Sequence, residues 1–218
     1  MRAVGRAVAM GVLLTALPPC RLTAQSFTVG PQLLVADYRE TFADLHYRGL
    51  GFGGGASFSY KKLAAEVAYA RLSYDPADDG GAVTPFDATQ FEARLRYYLA
   101  GPASAEVGIM SRQVDPDFTA QAAAAVRVGV RLSQLVDPAV RLSLRGNYLA
   151  AAKFSGGGSS SFGLELGMGV SGDLARGRVR LSAEYEFQHF NRKTNDGTGE
   201  VDVPIQQAVV RIGAAASF

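Results

Sequence analysis

The sequence predicts an all-β protein: a closed antiparallel β-barrel of ten strands, joined as an up-and-down meander, that crosses a membrane. Three observations predict it. Apolar and polar residues alternate with period two over most of the chain after residue 25, and a strand sorts such a pattern onto two faces where a helix would scatter it. Most of the alternating segments reach ten residues; strands of soluble domains average about five or six, whereas membrane-crossing strands need about 9–11. Short connections alternate with longer ones rich in Gly, Ser, Asp and Asn, as when hairpins are closed tightly at one end of a barrel and loosely at the other.

Composition agrees. The chain has 218 residues, 48% of them hydrophobic and 19% charged, with 25 Gly and one Cys. That excludes a disordered chain, collagen, a coiled coil and a disulfide scaffold. No apolar run approaches the roughly 20 residues of a transmembrane helix.

In chain order, residues 1–24 read as a secretory signal peptide. Arg2 and Arg6 form a basic start, residues 7–17 are apolar, Pro18-Pro19 end the run, and Leu22-Thr23-Ala24 is a cleavage signal before Gln25. Cys20 follows Leu17-Pro18-Pro19, a poor match to a lipidation site, which wants small residues there. Without this segment 19 basic residues face 20 acidic ones, so no nucleic-acid partner is expected. Residues 25–218 form the barrel.

The ten predicted strands are 26–37, 49–60, 63–74, 89–99, 104–113, 121–132, 139–149, 162–172, 178–190 and 206–218. In the second, Leu50, Phe52, Ala56, Phe58 and Tyr60 oppose a face of Gly and Ser. In the fourth, Phe91, Ala93, Leu95, Tyr97 and Leu99 alternate with Glu92, Arg94, Arg96 and Tyr98. In the eighth, Phe162, Leu164, Leu166, Met168 and Val170 alternate with small residues and Glu165. In the ninth, Val179, Leu181, Ala183, Tyr185 and Phe187 alternate with Arg178, Arg180, Ser182, Glu184 and Glu186. The connections 61–62, 100–103, 133–138 and 173–177 are short. Those at 38–48, 75–88, 114–120, 150–161 and 191–205 are mostly longer, so both termini lie at the short-turn end.

Alternation does not say which face points inward; composition does. All four Lys and all twelve Asp lie in turns, loops or strand ends, while the charges inside strands are Glu and Arg. An enclosed network favours that choice, because the rigid guanidinium fork pairs with carboxylates. Tyr60, Tyr97, Tyr148, Tyr185 and Phe187 on the apolar face suit a membrane interface. The last strand alternates Ala208, Val210, Ile212, Ala214, Ala216 and Phe218 against Arg211, Gly213, Ala215 and Ser217.

On these residues the chain resembles the small outer-membrane β-barrel family of Gram-negative bacteria, over about the whole of 25–218. The resemblance implies an outer-membrane location in the cell envelope, lipid as surroundings, and contact with the barrel-assembly machinery, for which Phe218 resembles the terminal signal. The apparent ten strands depart from the common eight-strand members.

The face assignment sends Glu66, Glu92, Glu106, Glu165, Glu184 and Glu186 into the lumen, with Arg94, Arg96, Arg127, Arg131, Arg141, Arg145, Arg178, Arg180 and Arg211. Arg141 and Arg145 on the seventh strand should lie across from the glycines of the second and pair with carboxylates. A cross-braced, occluded lumen with a structural or surface-binding role is therefore favoured over a narrow, porin-like small-solute channel with weak anion preference.

No cofactor or metal and no catalytic residue is expected. Asp44-Leu45-His46 with Asp115-Pro116-Asp117 resembles the catalytic pairs of the omptin proteases, but in reversed loop order and in a shorter chain, so an omptin-like protease is the remote alternative. His189 reads as an interfacial side chain on the apolar face. Asp75, Asp78 and Asp79 would suit Ca²⁺, but a solvated acidic loop is favoured over it. Any extracellular ligand would meet the long loops.

Overall fold

A computed structural model describes residues 25–218 except 83, 115–121, 196 and 198. The segment 1–24 and the Asp115-Pro116-Asp117 motif therefore lie outside the described residues. The chain forms ten antiparallel strands: β1 (Ser26–Glu40), β2 (Leu45–Tyr60), β3 (Leu63–Pro76), β4 (Phe86–Tyr98), β5 (Ala103–Val114), β6 (Ala123–Asp137), β7 (Val140–Phe154), β8 (Ser159–Leu174), β9 (Val179–Asn195) and β10 (Glu200–Ser217). Each pairs with its sequence neighbours, and β1 pairs with β10 to close the barrel. The closing ladder ends where the Phe27 amide donates to the Phe218 carbonyl at 3.1 Å and the Phe218 amide donates to Phe27 at 2.9 Å.

The lower outer surface, toward the short turns, is an apolar belt. Leu33, Leu50, Phe52, Leu95, Val130, Leu142, Leu166, Leu181 and Ile212 are all exposed there. In water so large an apolar surface would drive association; in lipid it is the solvated face.

The strands are longer than the alternation predicted, at the loop end above all. The connections predicted at 38–48, 150–161 and 191–205 shrink to 41–44, 155–158 and 196–199, because β1, β2, β7, β8, β9 and β10 continue pairing into them. The cause is a reversal of polarity along strands such as β1 and β3. On β1 the outward series Phe27, Val29, Leu33 and Val35 gives way to Asp37 and Arg39, while the inward series Thr28, Gly30 and Gln32 gives way to Leu34, Ala36 and Tyr38. On β3 the outward series changes from Val67 and Tyr69 to Arg71 and Ser73, and the inward one from Glu66 and Ala68 to Leu72 and Tyr74. A 16-residue strand rising about 3.3 Å per residue at a tilt near 40° is about 40 Å tall, against an apolar band of about 25 Å. The excess stands beyond the belt, wet outside and apolar inside.

A register shift in the β6–β7 pairing lies between Ala124 and Val126, opposite Lys153 and Ala150, and Ala151 there adopts φ 49°. This β-bulge turns the inward series from Asn147 and Leu149 to Ala152 and Phe154. A pattern search of strict period two ends the strand at that break.

Candidate functional site

The lumen is filled in two layers. The lower layer is ionic and sits within the belt. Glu92 accepts from Arg94 at 2.6 Å, Arg127 at 2.7 Å and Arg211 at 2.5 Å. Glu186 accepts from Arg94 at 3.1 Å and Arg211 at 2.8 Å, and also from Arg145. Glu165 lies 2.9 Å from both Arg127 and Arg145, and Glu106 lies 3.0 Å from Arg131. Asn147 donates to Glu106 and Glu165, both at 3.0 Å. Arg127, Glu165 and Glu186 have no solvent exposure at all. Four carboxylates and five guanidiniums thus share one network, which is how so many charges tolerate removal from water.

Nearer the turn end, Glu66 pairs with Arg96, Glu184 pairs with Arg145, and Arg180 clasps Asp173 at 2.7 and 3.2 Å. The sequence assignment of the lumen needs three corrections. Arg141 faces inward, but among the described residues no carboxylate lies within ion-pair distance of it. Arg178 is exposed in the turn before β9 rather than inside. Arg145 does not pack across the lumen on the β2 glycines. It lies over Gly167, its register partner on β8, where a Cβ would stand 2.8 Å from Nε.

The upper layer, toward the loops, is aromatic and aliphatic. Phe86 stacks on Tyr74 at 4.7 Å between centroids and meets Tyr47 edge-on at 4.8 Å and Tyr38 at 6.0 Å. Phe154 meets Phe190 edge-on at 5.8 Å. Leu72, Met110, Leu149, Ile205 and Val209 complete the cluster. Where the layers meet, Arg112 lies 5.3 Å over the Tyr38 ring and donates to Gln207, which donates to the Tyr74 hydroxyl at 2.7 Å. Arg112, Asn147, Gln188 and Gln207 are lumen residues that the sequence reading passed over. Each continues the inward phase of its strand, which is the signal that marks them.

Below the ionic layer a cavity of about 230 Å³ opens toward the turn end. Small residues of β1, β2, β3 and β10 form one wall; Glu66, Glu92 and Glu184 with Arg94, Arg131, Arg180 and Arg211 form the other.

Outside the barrel wall, His46 is 4% exposed although it follows the outward phase of β2. The β3–β4 loop folds back over it: the Ala77 amide donates to the His46 carbonyl at 2.9 Å and the Gly81 amide to the Asp44 carbonyl at 2.7 Å. A Cβ on Gly80 would stand 2.7 Å from that of His46, so only glycine lets the loop lie so close. The ring nitrogens meet Asp79 Oδ1 at 2.5 Å and Asp37 Oδ2 at 2.7 Å. The hydrogen bond from His46 holds the Asp79 carboxyl below its ordinary range. Asp79 is thus engaged with a histidine, and no group of three metal-binding side chains occurs among the described residues. His189 lies on the outer face, 6.4 Å from the Phe162 ring.

No protein-family model matches the sequence, and no curated protein does. Solved structures match in fold. The β-domain of the Bordetella autotransporter BrkA aligns with TM-score 0.50 at 16% identity, over 85% of this chain and 98% of that one. Neisserial surface protein A aligns with TM-score 0.46 at 16% identity, over 90% and 100%. The outer-membrane protease OmpT of Escherichia coli aligns with TM-score 0.49 at 7% identity, over 89% and 96%. The chain has the fold of the outer-membrane β-barrels.

Proposed function

We infer that this barrel stands in the outer membrane as an occluded structural and surface-displaying protein rather than as a conducting pore. The observation that carries the reading is the double filling of the lumen: a paired ionic layer in the belt and an aromatic layer above it. A hydrated ion crossing it would have to displace buried, mutually paired charges and then enter an apolar core, and each step is costly. The short-turn end, with both strand termini, faces the periplasm, and the extended loop end faces outward. The reading is non-enzymatic. His46 has both ring nitrogens engaged by carboxylates, which leaves neither free to act on a substrate as base or acid.

Thiol accessibility tests it. In the full chain with Cys20 replaced by Ser, Ser57→Cys lies in the lower cavity and Ala88→Cys in the aromatic layer. In membranes opened on the periplasmic side, a small water-soluble maleimide should label Cys at 57 and leave Cys at 88 unmodified. Rapid labelling at both positions would replace the occluded reading with the channel.

A further inference from the structure

The apolar belt is not evenly filled: a groove crosses its outer face from β8 to β2. We propose that this groove seats an acyl chain of an anionic phospholipid, whose phosphate is held by Arg176 and Arg178 at the lower mouth. The proposal depends on the belt lying in lipid and not on whether the lumen conducts.

The shape of the groove is the first observation. It encloses about 620 Å³. Gly172 of β8, Ala214 of β10 and Pro31 of β1 lie at its floor, and the exposed side chains of Ile212, Leu33 and Phe52 stand along it. The groove also climbs. Gly172, at its β8 end, is two residues from the strand end at Leu174. Phe52, at its β2 end, is eight residues from the strand end at Tyr60. At about 3.3 Å per residue and a tilt near 40°, that difference is about 15 Å of height. The hydrocarbon core is about 30 Å thick, so the groove runs from the membrane surface to about its midplane, the depth of one leaflet.

Charge at the low end is the second observation. The turn between β8 and β9 presents Arg176 and Arg178, both exposed and neither in an ion pair among the described residues. The Ser217 amide donates to the Arg178 carbonyl at 2.8 Å, which ties this turn to the foot of β10 beside the groove. Asp173, the acid next to the turn, is held by Arg180. The other cations of this end, Lys61 and Lys62, stand below Phe52, where the groove is farthest from the turns. Guanidinium forks match phosphate oxygens, and basic residues at a membrane surface attract anionic lipid. A free anion would answer the arginines and leave the groove empty; an uncharged lipid would do the reverse. An anionic phospholipid satisfies both.

The test is native mass spectrometry of the full-chain protein in neutral detergent, with dioleoyl phosphatidylglycerol and dioleoyl phosphatidylcholine added in equal amounts. A monomer carrying phosphatidylglycerol is expected, about tenfold over phosphatidylcholine, as two surface cations would give. Arg176→Gln with Arg178→Gln should bring the two lipids to near parity. Lys61→Gln with Lys62→Gln removes the same charge from the same end of the barrel and should leave the preference unchanged. Ala214→Phe fills the floor of the groove and should release both lipids. Equal retention of the two lipids by the unaltered protein overturns the site. So does a preference that survives the arginine substitutions, or one that falls as far with the lysine ones, or lipid retention unchanged by Ala214→Phe. A dimer that excludes lipid and is broken by Ala214→Phe would overturn it too, by giving the groove to a second copy of the chain.

Discussion

At the scale of single residues, the account turns on buried charges that are each held by several partners. Arg145 reaches Glu165, Glu184 and Glu186. Arg145→Leu should cost about 3–5 kcal/mol in urea unfolding from lipid vesicles, because it strands carboxylates in a dry interior. Adding Glu165→Gln should recover part of that loss. If the double substitution is as unstable as the sum of the singles, the charges are not acting as a network. Gly167→Ala should cost about 1–3 kcal/mol by displacing the Arg145 side chain that lies over it. On the other face, Leu166 is 48% exposed in the belt, and Leu166→Arg should cost about 2–4 kcal/mol in the same assay. A neutral outcome there would reverse the assignment of faces. Most of the lumen charges were readable in the sequence, since period two fixes the phase; the exceptions are Arg178, which lies exposed in a turn, and Arg112, which was passed over. The pairing of Arg145 with carboxylates was readable as well; the glycine it packs on was not, because reasoning across the lumen passed over the adjacent strand, where register brings Gly167 beside it.

At the scale of elements, the lower halves of the strands were legible and the upper halves were not. Below, apolar residues face out and polar ones in; above, the phases exchange, so a search for one continuous pattern stops where the strand leaves the belt. The β7 bulge hides Ala152 and Phe154 for the same reason. The fold-back of the β3–β4 loop onto His46 joins positions far apart in sequence, and Asp-rich composition alone suggested only a solvated loop. Because Asp79 is held below its ordinary range by His46, its contribution is fully present above the unfolded carboxylate value, near 4, and is lost as pH falls through the lower folded value. Limited proteolysis of the loop in intact membranes should therefore stay slow on moderate acidification and rise only in stronger acid. Asp79→Asn should make cleavage fast at neutral pH and remove the acid-induced rise. A cleavage rate independent of both pH and this substitution would show that the latch does not hold the loop. At the closing seam, deleting Phe218 removes the ring that lies 6.3 Å from Phe27 and the last closing hydrogen bonds. It should reduce the amount inserted in cells more than the stability of what is inserted, measured by quantifying the folded, heat-modifiable band.

For the whole molecule, the barrel is two solvent regimes stacked along one axis. The lower part is an inside-out protein, ionic within and apolar without; the upper part is an ordinary one, with an aromatic core and a charged exterior. Strand number, closure and the apolar belt follow from alternation, segment length and terminal pattern. The aromatic core does not, because four of its rings, Tyr38, Tyr47, Phe86 and Phe154, lie in segments that composition marks as loops. That core is what separates a barrel with a charged lumen from a pore. The most direct measurement is single-channel recording of the purified full-chain protein in planar bilayers under an applied potential. The account predicts a baseline without unitary steps in either polarity. Reproducible ohmic openings from the monomer, with selectivity that shifts when lumen arginines are replaced, would contradict it.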